Sequence, residues 1–580
     1  ITGNFTNNGT AEINITQGVV KLGNVTNDGD LNITTHAKRN QRSIIGGDII
    51  NKKGSLNITD SNNDAEIQIR GNISQKEGNL TISSDKVNIT KQITIKAGVD
   101  EDSSSSSTKS NANLTIKTKT LELTNDLNIS GFNKAEITAK DNSDLTIGKA
   151  SGGDGDAKKV TFDKVKDSKI SANGHKVTLN SKVETSNGNS DAAGDSNGNN
   201  AGLTISAKDV AVNNNITSHK TVSISASEGN ITTKAGTTIN ATTGSVEVTA
   251  KTGDIKGGIE SKSGGVTLTA TGDTLAVGNI SGNTVSVTAN SGTLTTQADS
   301  TIKGTGSVTT LSQSGDIGGT ISGKTVSVTA STGDLTVRKA ATISATEGAA
   351  TLTATGNTLT TEAGSSITST KGQVDLLAQN GSIAGSINAA NVTLNTTGTL
   401  TTVAGSDIKA TSGTLVINAK DAKLNGDASG DSTEVNAVNA SGSGSVTAAT
   451  SSSVNITGDL NTENGLNIIS KDGRNTVRLR GKEIEVKYIQ PGVASVEEVI
   501  EAKRVLEKVK DLSDEERETL AKLGVSAVRF VEPNNTITVN TQNEFTTRPS
   551  SQVIISEGKA CFSSGNGAAV CTNVADDGQP

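Results

Sequence analysis

Short stretches in which apolar and polar residues alternate recur along most of the chain and share one template. In one-letter code the template is x-V-x-V-x-A-x-x-G-D/N-I/L, and it is clearest in residues 221–231, 245–255 and 265–273. Alternation with a period of two is typical of β-strands that bury one face. Gly, and Asn-Gly or Asp-Gly pairs, are expected to supply the turns that need a positive φ. The first inward position of the template falls at Val222, Val246, Val266, Val285, Val308, Val326, Ala350, Val374, Val392 and Val416.

The spacing of these positions varies between 18 and 24 residues, with a mean near 21. A period near 20 that contains two or three short strands fits one coil of a β-solenoid. Inward Val, Ile and Leu of one coil would stack on the same positions of the next. The sequence therefore predicts an all-β protein, a right-handed parallel β-helix. An array of antiparallel sandwich domains is the alternative, although such domains usually have an aromatic core.

The composition supports a narrow core. The 580 residues include six Phe, one Tyr and no Trp or Met, whereas an ordinary globular core depends on large side chains. Disorder is the other outcome of so few aromatics, but the regular Val, Ile and Thr favour strands. The net charge of −7 is spread along the chain. No basic stripe or aromatic platform indicates a nucleic-acid partner, and no apolar run is long enough for a membrane-spanning helix.

The pattern changes near Pro491, so we predict a β-helix stalk over 1–490 and a C-terminal cap and anchor segment over 491–580. Within the stalk, residues 1–145 have a looser period and more Ile and Asn. Three polar inserts rich in Ser, Gly and Asp interrupt it near 100–110, 150–159 and 186–202, and we predict loops there. The chain begins inside a strand-like pattern, which indicates a fragment of a longer protein.

A helical hairpin is predicted at the start of the C-terminal segment, over about 495–524. Capping boxes begin at Ser495 and Ser513, and Gly524 is suited to end a helix. A hairpin at this place would cover the open end of a solenoid, whose strand edges are otherwise unpaired. Strands are predicted to follow at 525–531, 536–541 and 552–556.

The two cysteines, Cys561 and Cys571, enclose a short loop of mostly small residues. A zinc site needs about four ligands, and a redox pair is more often C-x-x-C. In an exported protein a disulfide is favoured; two unpaired thiols are the alternative. We expect no metal site and no cofactor. The histidines are few and far apart in the sequence, at His36, His175 and His219.

The end of the chain resembles a known family. The runs 555–567 and 570–580 are closely similar to the C-terminus of the high-molecular-weight non-pilus adhesins of two-partner secretion, which are filamentous haemagglutinin-like exoproteins. The Thr- and Asn-rich repeats resemble the same proteins. The resemblance implies a virulence-associated cell-surface adhesin fibre, secreted by the type V route through the periplasm and associated with the cell outer membrane.

The resemblance also implies partners. The loop closed by Cys561 and Cys571 would hold the fibre to its outer-membrane β-barrel translocator. A cytoplasmic N-glycosyltransferase would modify Asn-x-Ser/Thr sequons, and a host epithelial cell-surface glycoprotein would be the receptor. We expect no counterpart of the family's N-terminal secretion domain within these residues, and the receptor-binding region of the family is expected partly or wholly upstream. We therefore expect a C-terminal stalk and anchor portion rather than the binding tip.

The chain contains 21 sequons, eleven of them within residues 1–128. In a strand with the pattern x-Asn-Ile-Thr, Ile points inward, so Asn and Thr are expected to face solvent. The candidate glycosylation sites are Asn4, Asn8, Asn14, Asn24, Asn32, Asn57, Asn72, Asn79, Asn88, Asn113, Asn128, Asn215 and Asn230.

Two other functions are open on the sequence alone. One is the stalk of a contact-dependent toxin, and the other is a β-helical carbohydrate-active enzyme. Such an enzyme needs paired carboxylates or a calcium site, usually with aromatic sugar platforms. Here the acids are dispersed and aromatics are scarce. Residues 491–580 contain no His, which excludes Cys–His catalysis within them. We therefore expect that the protein is not an enzyme.

Overall fold

A computed structural model of the chain is all-β and divides into two compact units. Unit 1 comprises residues 1–295 and 300–305, and unit 2 comprises 296–299 and 306–580. The structure describes residues 2–98, 111–150, 158–187, 202–461, 464–470, 474–479, 482–487, 553–556, 559–562 and 570–573. Within these residues there is no helix, and parallel strands form a β-solenoid in each unit, with about 20 turns in total.

The strands are short, because each face of a coil is only a few residues wide. The strands of unit 1, with the last residue of β30 counted in unit 2, are β1 (Thr2–Asn7), β2 (Ala11–Asn14), β3 (Lys21–Asn27), β4 (Leu31–Thr35), β5 (Arg42–Ile45), β6 (Ile49–Asn51), β7 (Leu56–Asp60), β8 (Glu66–Ile69), β9 (Ile73–Gln75), β10 (Asn79–Ser83), β11 (Lys86–Ile89), β12 (Ile93–Ala97), β13 (Asn113–Thr118), β14 (Thr120–Leu123), β15 (Leu127–Ser130), β16 (Lys134–Ala139), β17 (Leu145–Ile147), β18 (Lys159–Asp163), β19 (Asp167–Leu179), β20 (Lys182–Ser186), β21 (Leu203–Val212), β22 (Ile216–Ser218), β23 (Val222–Thr233), β24 (Thr238–Ala241), β25 (Val246–Ile255), β26 (Gly258–Ser261), β27 (Val266–Ala270), β28 (Thr274–Val277), β29 (Ile280–Gly282), β30 (Val285–Thr296) and β31 (Thr301–Gly304). The strands of unit 2 are β32 (Ser307–Ile317), β33 (Thr320–Gly323), β34 (Thr325–Ala330), β35 (Leu335–Val337), β36 (Thr342–Ala345), β37 (Ala350–Thr361), β38 (Ser366–Ser369), β39 (Gln373–Ile383), β40 (Ser386–Ala389), β41 (Asn391–Thr396), β42 (Thr399–Thr402), β43 (Asp407–Ala410), β44 (Thr414–Leu424), β45 (Asp427–Ser441), β46 (Ser445–Ile456), β47 (Asn467–Ser470), β48 (Arg474–Leu479), β49 (Lys482–Lys487), β50 (Val553–Ser556), β51 (Lys559–Phe562) and β52 (Val570–Asn573).

Each coil has three faces, which are clearest in strands β7 to β12. On the first face β10 pairs in parallel with β7 and β13. On the second face β11 pairs with β8 and β14, and on the third β12 pairs with β9 and β15. From β19 onward a single long strand often covers the first two faces, as in β23, whose register shifts between Ala226 and Asn230 at the corner. The right-handed sense of the coil stays a prediction.

The core is built from rows of identical or similar side chains. On the first face of unit 1 an unbroken row of isoleucines passes through eight coils, each paired with the next and each exposed by 2 % or less. Burial of one such side chain stabilises the fold by roughly 1.5–3 kcal/mol, and its β-branch suits an extended backbone. The row consists of Ile33, Ile58, Ile82, Ile116, Ile137, Ile170, Ile205 and Ile224.

The rows predicted from the template are present in each unit, with one error. In unit 1 Val222, Val246, Val266 and Val285 pair in succession. In unit 2 the corresponding row is Val308, Val326, Ala350, Val374 and Val392. The prediction for Val416 is wrong. Leu415 takes the inward place next to Val392 and is fully buried, and Val416 faces outward. A shift of one residue moves a strand side chain to the opposite face.

The boundaries predicted for the loops and for the stalk differ slightly from the observed boundaries of the strands. β18 begins at Lys159 and β20 ends at Ser186, so strands reach the edges of two predicted inserts. The parallel pairing ends with β48 at Leu479, short of the predicted boundary at residue 490, and β49 pairs antiparallel to β48. Residues 99–110, 151–157 and 188–201, the predicted helical hairpin and the predicted strands at 525–531 and 536–541 lie outside the described residues.

Replacing Thr310 with valine is expected to stabilise unit 2. Thr310 stands at an inward position next to Val328, is 1 % exposed, and its hydroxyl oxygen has no hydrogen-bond partner. A buried hydroxyl without a partner costs about 1–3 kcal/mol, and valine has nearly the same shape. Two measurements check this. The urea concentration at the midpoint of unfolding should rise, and hydrogen exchange of the main-chain amides in β32 and β34 should slow.

Thr361 is the matched control for Thr310. It is also 1 % exposed, but its hydroxyl oxygen accepts a hydrogen bond from the main-chain N–H of Ala384 at 3.1 Å. Replacing it with valine removes an acceptor that the main-chain N–H groups of Ala384 and Gly385 share, and should lower the stability. Equal effects of the two substitutions would contradict the assignment of an unpaired hydroxyl at Thr310.

Candidate functional site

A column of amide and carboxylate side chains occupies one corner of the first coils. We call it the corner column and define it as Asn4, Asn24, Asp48 and Asn72. The Oδ1 atom of each member accepts a hydrogen bond from the main-chain N–H of the equivalent residue one coil later, at 2.8–2.9 Å, and the last donor is Thr94. The steps are 20, 24, 24 and 22 residues, so the side chains hold successive coils in register.

Glycine precedes every member of the corner column, and at Gly47 and Gly71 the reason is that the backbones of successive coils approach closely. A Cβ atom on Gly71 would lie 1.9 Å from the carbonyl oxygen of Gly47, and one on Gly47 would lie 2.4 Å from the carbonyl carbon of Gly23. No side chain fits at these distances. The Gly-Asn and Gly-Asp pairs of the corner column are thus close contacts between coils, reinforced by the following side chain.

The same type of hydrogen bond between coils recurs along both units. In each case a side-chain oxygen of Asn or Asp accepts the main-chain N–H of a residue in the next coil, at 2.7–3.1 Å. The acceptors are Asp30, Asp126, Asp144, Asp209, Asn215, Asn279, Asp334, Asn380, Asn391, Asn425 and Asn439. At Asp30, hydrogen bonds from the backbone and the hydroxyl of Ser55 hold the pKa of the carboxyl below its ordinary value.

The sequons divide by exposure. Exposed asparagines lie in the corner column and at strand ends or turns: Asn4, Asn8, Asn14, Asn24, Asn72 and Asn79. Half-buried ones project from the outer side of strands or stand at their ends: Asn32, Asn57, Asn113, Asn128, Asn215 and Asn230. Two members of the second group stack on each other. Nδ2 of Asn57 donates to Oδ1 of Asn32 at 2.7 Å.

Asn88 departs from the expectation that sequon asparagines face open solvent. It projects from the outer side of β11, yet it is only 7 % exposed. Its Nδ2 donates to Oε1 of Glu66 at 3.0 Å, and its Oδ1 accepts from the hydroxyl of Thr124 at 3.2 Å. Long polar neighbours on the second face therefore cover it, and its amide is fully engaged.

A charged cluster surrounds Asp85 at the corner between the first and second faces. Asp85 and Lys140 are 6 % and 7 % exposed. Nζ of Lys140 donates to Oδ1 of Asp85 at 2.9 Å and to Asp141 at 2.7 Å. Oδ2 of Asp85 accepts from the main-chain N–H of Asp64 at 2.9 Å and lies 3.3 Å from Nζ of Lys119. The side chain of Asp85 therefore links its own coil to the lysine side chains of the next two coils and to the main chain of the preceding one.

Glu122 forms a second centre on the neighbouring face. It is 6 % exposed, and its two carboxylate oxygens lie 2.5 Å from Nζ of Lys86 and 2.6 Å from Nζ of Lys149. Burial by itself raises the pKa of both Asp85 and Glu122, but the surrounding lysines outweigh it and hold each pKa below its ordinary value. Burial opposes the charge of Lys140 as well, and Asp141 and Asp85 outweigh it, so the pKa of Lys140 is raised.

The alternating pattern of the sequence predicts neither this charged cluster nor a buried ladder of amides in the first coils. In that ladder Nδ2 of Asn7 donates to Asn27, Asn27 to Asn51, and Asn51 to Gln75, at 2.8–3.0 Å. Three of its members have no exposed surface: Asn27, Asn51 and Gln75. Amide side chains can pair with themselves in a repeated row, which satisfies polar groups inside the coil.

The predicted cysteine pair falls in a separate sheet of β50, β51 and β52, in which neighbouring strands are antiparallel. The backbone places Cys561 directly opposite Cys571. Opposite residues of an antiparallel pair have Cβ atoms about 4.5–5.5 Å apart, close to the separation that a disulfide bridges. The disulfide itself stays a prediction.

Within the part of the chain that the structure describes, no helix is long and apolar enough to cross a membrane. No group of His, Cys, Asp and Glu among those residues is arranged to hold a metal ion. No protein-family model, no curated protein and no solved structure matches the chain.

Proposed function

We propose that this chain is the C-terminal stalk and anchor portion of an exported cell-surface adhesin fibre of the two-partner secretion type. The main support is the repetitive composition of the coils. In each unit the inward rows repeat one small set of aliphatic residues, and the outward positions are mostly Thr, Ser, Asn and charged residues. Such a repeat extends by adding coils without requiring a new core, which suits a spacer that supports attachment to host epithelial cells through an upstream receptor-binding region.

The register of Cys561 and Cys571 supports the anchor part of this proposal. A disulfide there would close a loop that a translocator could hold at the outer membrane, because a covalent loop cannot be pulled straight through a narrow pore. The closed loop would remove roughly 3 kcal/mol of chain entropy from the unfolded tail.

The anchor is tested by locating the fibre in cells that carry its own translocator. We expect Cys561→Ser, Cys571→Ser and the double variant to release the fibre into the medium to the same extent, because either substitution opens the loop. Ser556→Ala, a change in neighbouring β50, should leave the fibre on the cells. Retention of the double variant would overturn the anchor. Intact mass with and without reductant would show whether the sulfurs are joined.

We further propose that a cytoplasmic N-glycosyltransferase modifies exposed sequons, with the corner-column residues Asn4, Asn24 and Asn72 as the sites that the fold accepts most easily. Their Oδ1 atoms face the next coil. A sugar joined to Nδ2 leaves the amide carbonyl in place, so the hydrogen bond to the next coil persists.

Asn88 should carry no sugar in the folded fibre, although its sequon is intact. A hexose on its Nδ2 would displace Glu66 and would need open space at a side chain that is 7 % exposed. The measurement is site-resolved peptide mass spectrometry of fibre recovered from cells with the transferase. Asn57, in the equivalent pattern Asn-Ile-Thr but half-buried, is the matched comparison. Full occupancy at Asn88 in natively folded fibre would contradict the prediction.

A further inference from the structure

A bulge interrupts the long strand β19 at the corner between its first and second faces. We define the β19 bulge as residues 173–175. On one side of it Ala172 pairs with Ala207, and on the other side Lys176 pairs with Asp209. The three residues between have no partner in β21, and the pairings with β16 and β17 also pass over them.

The β19 bulge contains an Asn-Gly pair that is open to solvent. Asn173 and Gly174 are both exposed, and Gly174 has a φ of 69°. A Cβ atom added to Gly174 would meet nothing within 4 Å. The Cα of Gly174 therefore faces open space, and the backbone around it has no partner in the ladder.

We propose that Asn173-Gly174 is a site of spontaneous covalent modification, at which asparagine becomes aspartate or isoaspartate through a succinimide. The main-chain nitrogen of Gly174 attacks Cγ of Asn173, its proton is lost to water, and the side-chain nitrogen leaves as ammonia. Water then opens the five-membered ring at either carbonyl carbon. The two steps consume one water and release one ammonia, so neither an oxidant nor an enzyme is required.

Among the other Asn-Gly pairs, those at Asn380 and Asn425 have the same sequence chemistry but are held in the coil. Oδ1 of Asn380 accepts from the main-chain N–H of Thr399 at 2.9 Å, and Gly381 is buried between the strands that flank it. Ring closure there would require the side chain to leave its acceptor position and the ladder to open.

The pair at Asn425 is held from both sides. Its Oδ1 accepts from the main-chain N–H of Ser443 at 3.1 Å. The main-chain N–H of Gly426, whose nitrogen would be the nucleophile, donates to the hydroxyl of Thr402 at 3.1 Å. Both the electrophile and the nucleophile are therefore restrained in the folded protein.

The modification should leave the solenoid intact, because the β19 bulge does not pair with neighbouring coils. Isoaspartate adds one methylene to the main chain, and an unpaired segment absorbs that length without shifting a register. The product adds a negative charge beside His175, whose Nδ1 lies 3.7 Å from Oδ1 of Asp144.

The test is to incubate the full chain in mildly alkaline buffer and to follow each Asn-Gly peptide by mass spectrometry. We expect Asn173 to convert at least ~10-fold faster than Asn380 and Asn425, since the latter two react only after local opening. In urea the three rates should converge. The variant Asn173→Gln should keep the fold and lose the conversion in that peptide.

A native rate at Asn173 that does not exceed the rates at Asn380 and Asn425 would overturn the proposal. Retention of the difference in urea would also overturn it, because sequence rather than the fold would then set the rates. Loss of coil protection in hydrogen exchange after conversion would show that the bulge does not absorb the added methylene.

Discussion

Replacing Ile116 with alanine is expected to destabilise the middle of unit 1 by about 2–5 kcal/mol, the usual cost of truncating a buried isoleucine. Ile116 has no exposed surface and stands in the isoleucine row between Ile82 and Ile137. Removing three carbon atoms leaves a cavity that touches both neighbours. The backbone of a solenoid cannot collapse onto it, because each coil is held at a fixed strand spacing by its ladder hydrogen bonds.

The loss should be local. Coils of a repeat protein are stabilised mainly by their nearest neighbours, so hydrogen exchange should speed up in β10, β13 and β16 and change little in β25. Lys117→Ala is the control, because Lys117 lies next to Ile116 on the same strand but is exposed. It should change stability by less than about 0.5 kcal/mol.

The loss of stability in Ile116→Val should lie between those of Ile116→Ala and Lys117→Ala, at about 0.5–1.5 kcal/mol. If Ile116→Ala and Lys117→Ala have equal effects, the isoleucine row does not carry the stability that its burial indicates. A loss of protection spread evenly through unit 1 would show that the coils unfold together rather than by neighbours.

Replacing Lys140 with methionine is expected to cost about 3–5 kcal/mol, which is typical when one partner of a buried ion pair is removed. Asp85 would keep its bond from the main chain of Asp64 and its contact with Lys119, so we expect the lower part of this range. Hydrogen exchange in β11 and β14, which follow Asp85 and Lys119 in the chain, measures the effect.

Lys149→Met is the matched control. Lys149 contacts the buried carboxylate of Glu122 at 2.6 Å, but its own side chain is 73 % exposed. An exposed partner contributes little, because water and salt screen it. Equal protection in the two variants would contradict the view that Lys140 stabilises the cluster because it is buried.

The cluster also predicts a pH dependence. The pKa values of Asp85 and Glu122 lie below their ordinary values of 3.8 and 4.5, so the unfolded chain takes up protons first as pH falls. Their contribution is fully present above those values and is lost as pH drops through the folded pKa values. The pKa of Lys140 lies above its ordinary 10.5, so its contribution is present below that pH and is lost as pH rises further.

Stability around Asp85 should therefore be flat near neutral pH and fall at both extremes. In Lys140→Met the acid limb should be smaller than in the wild type, because the lysine no longer holds the folded pKa of Asp85 down and the gap to its ordinary value narrows. Hydrogen exchange of β11 and β14 across a pH series, corrected for intrinsic rates, measures both limbs. Identical acid limbs in the two proteins would contradict the assignment.

Much of the fold could be predicted because every coil repeats the same pattern of inward apolar and outward polar residues. Alternation shows which residues point inward, and recurrent glycines mark many of the corners. The error at Val416 has the same origin, since Leu415 and Val416 are both apolar and either can lead the strand. Alternation within one strand does not choose between adjacent apolar residues; the stacking on Val392 does.

The charged cluster could not be predicted, since Asp85 and Lys140 are 55 residues apart in the sequence. Which outward residues meet depends on how many residues each corner contains, and the lengths of the corners vary. Asn88 illustrates the same limit. Its pattern places it outward, but Glu66 and Thr124 on the neighbouring coils cover it.

The sequence by itself determined that the chain is a β-solenoid, which residues of most strands form its core, and where Gly and Asn turn the corners. These follow from local alternation and from the period, which any window of a coil or two contains. Only the tertiary structure decided which side chains of different coils touch: the corner column, the amide ladder, the buried ion pair of Asp85, and the contrast between Asn173 and Asn380. Those contacts depend on the register between coils, which is set by the packing of every intervening residue rather than by any one of them.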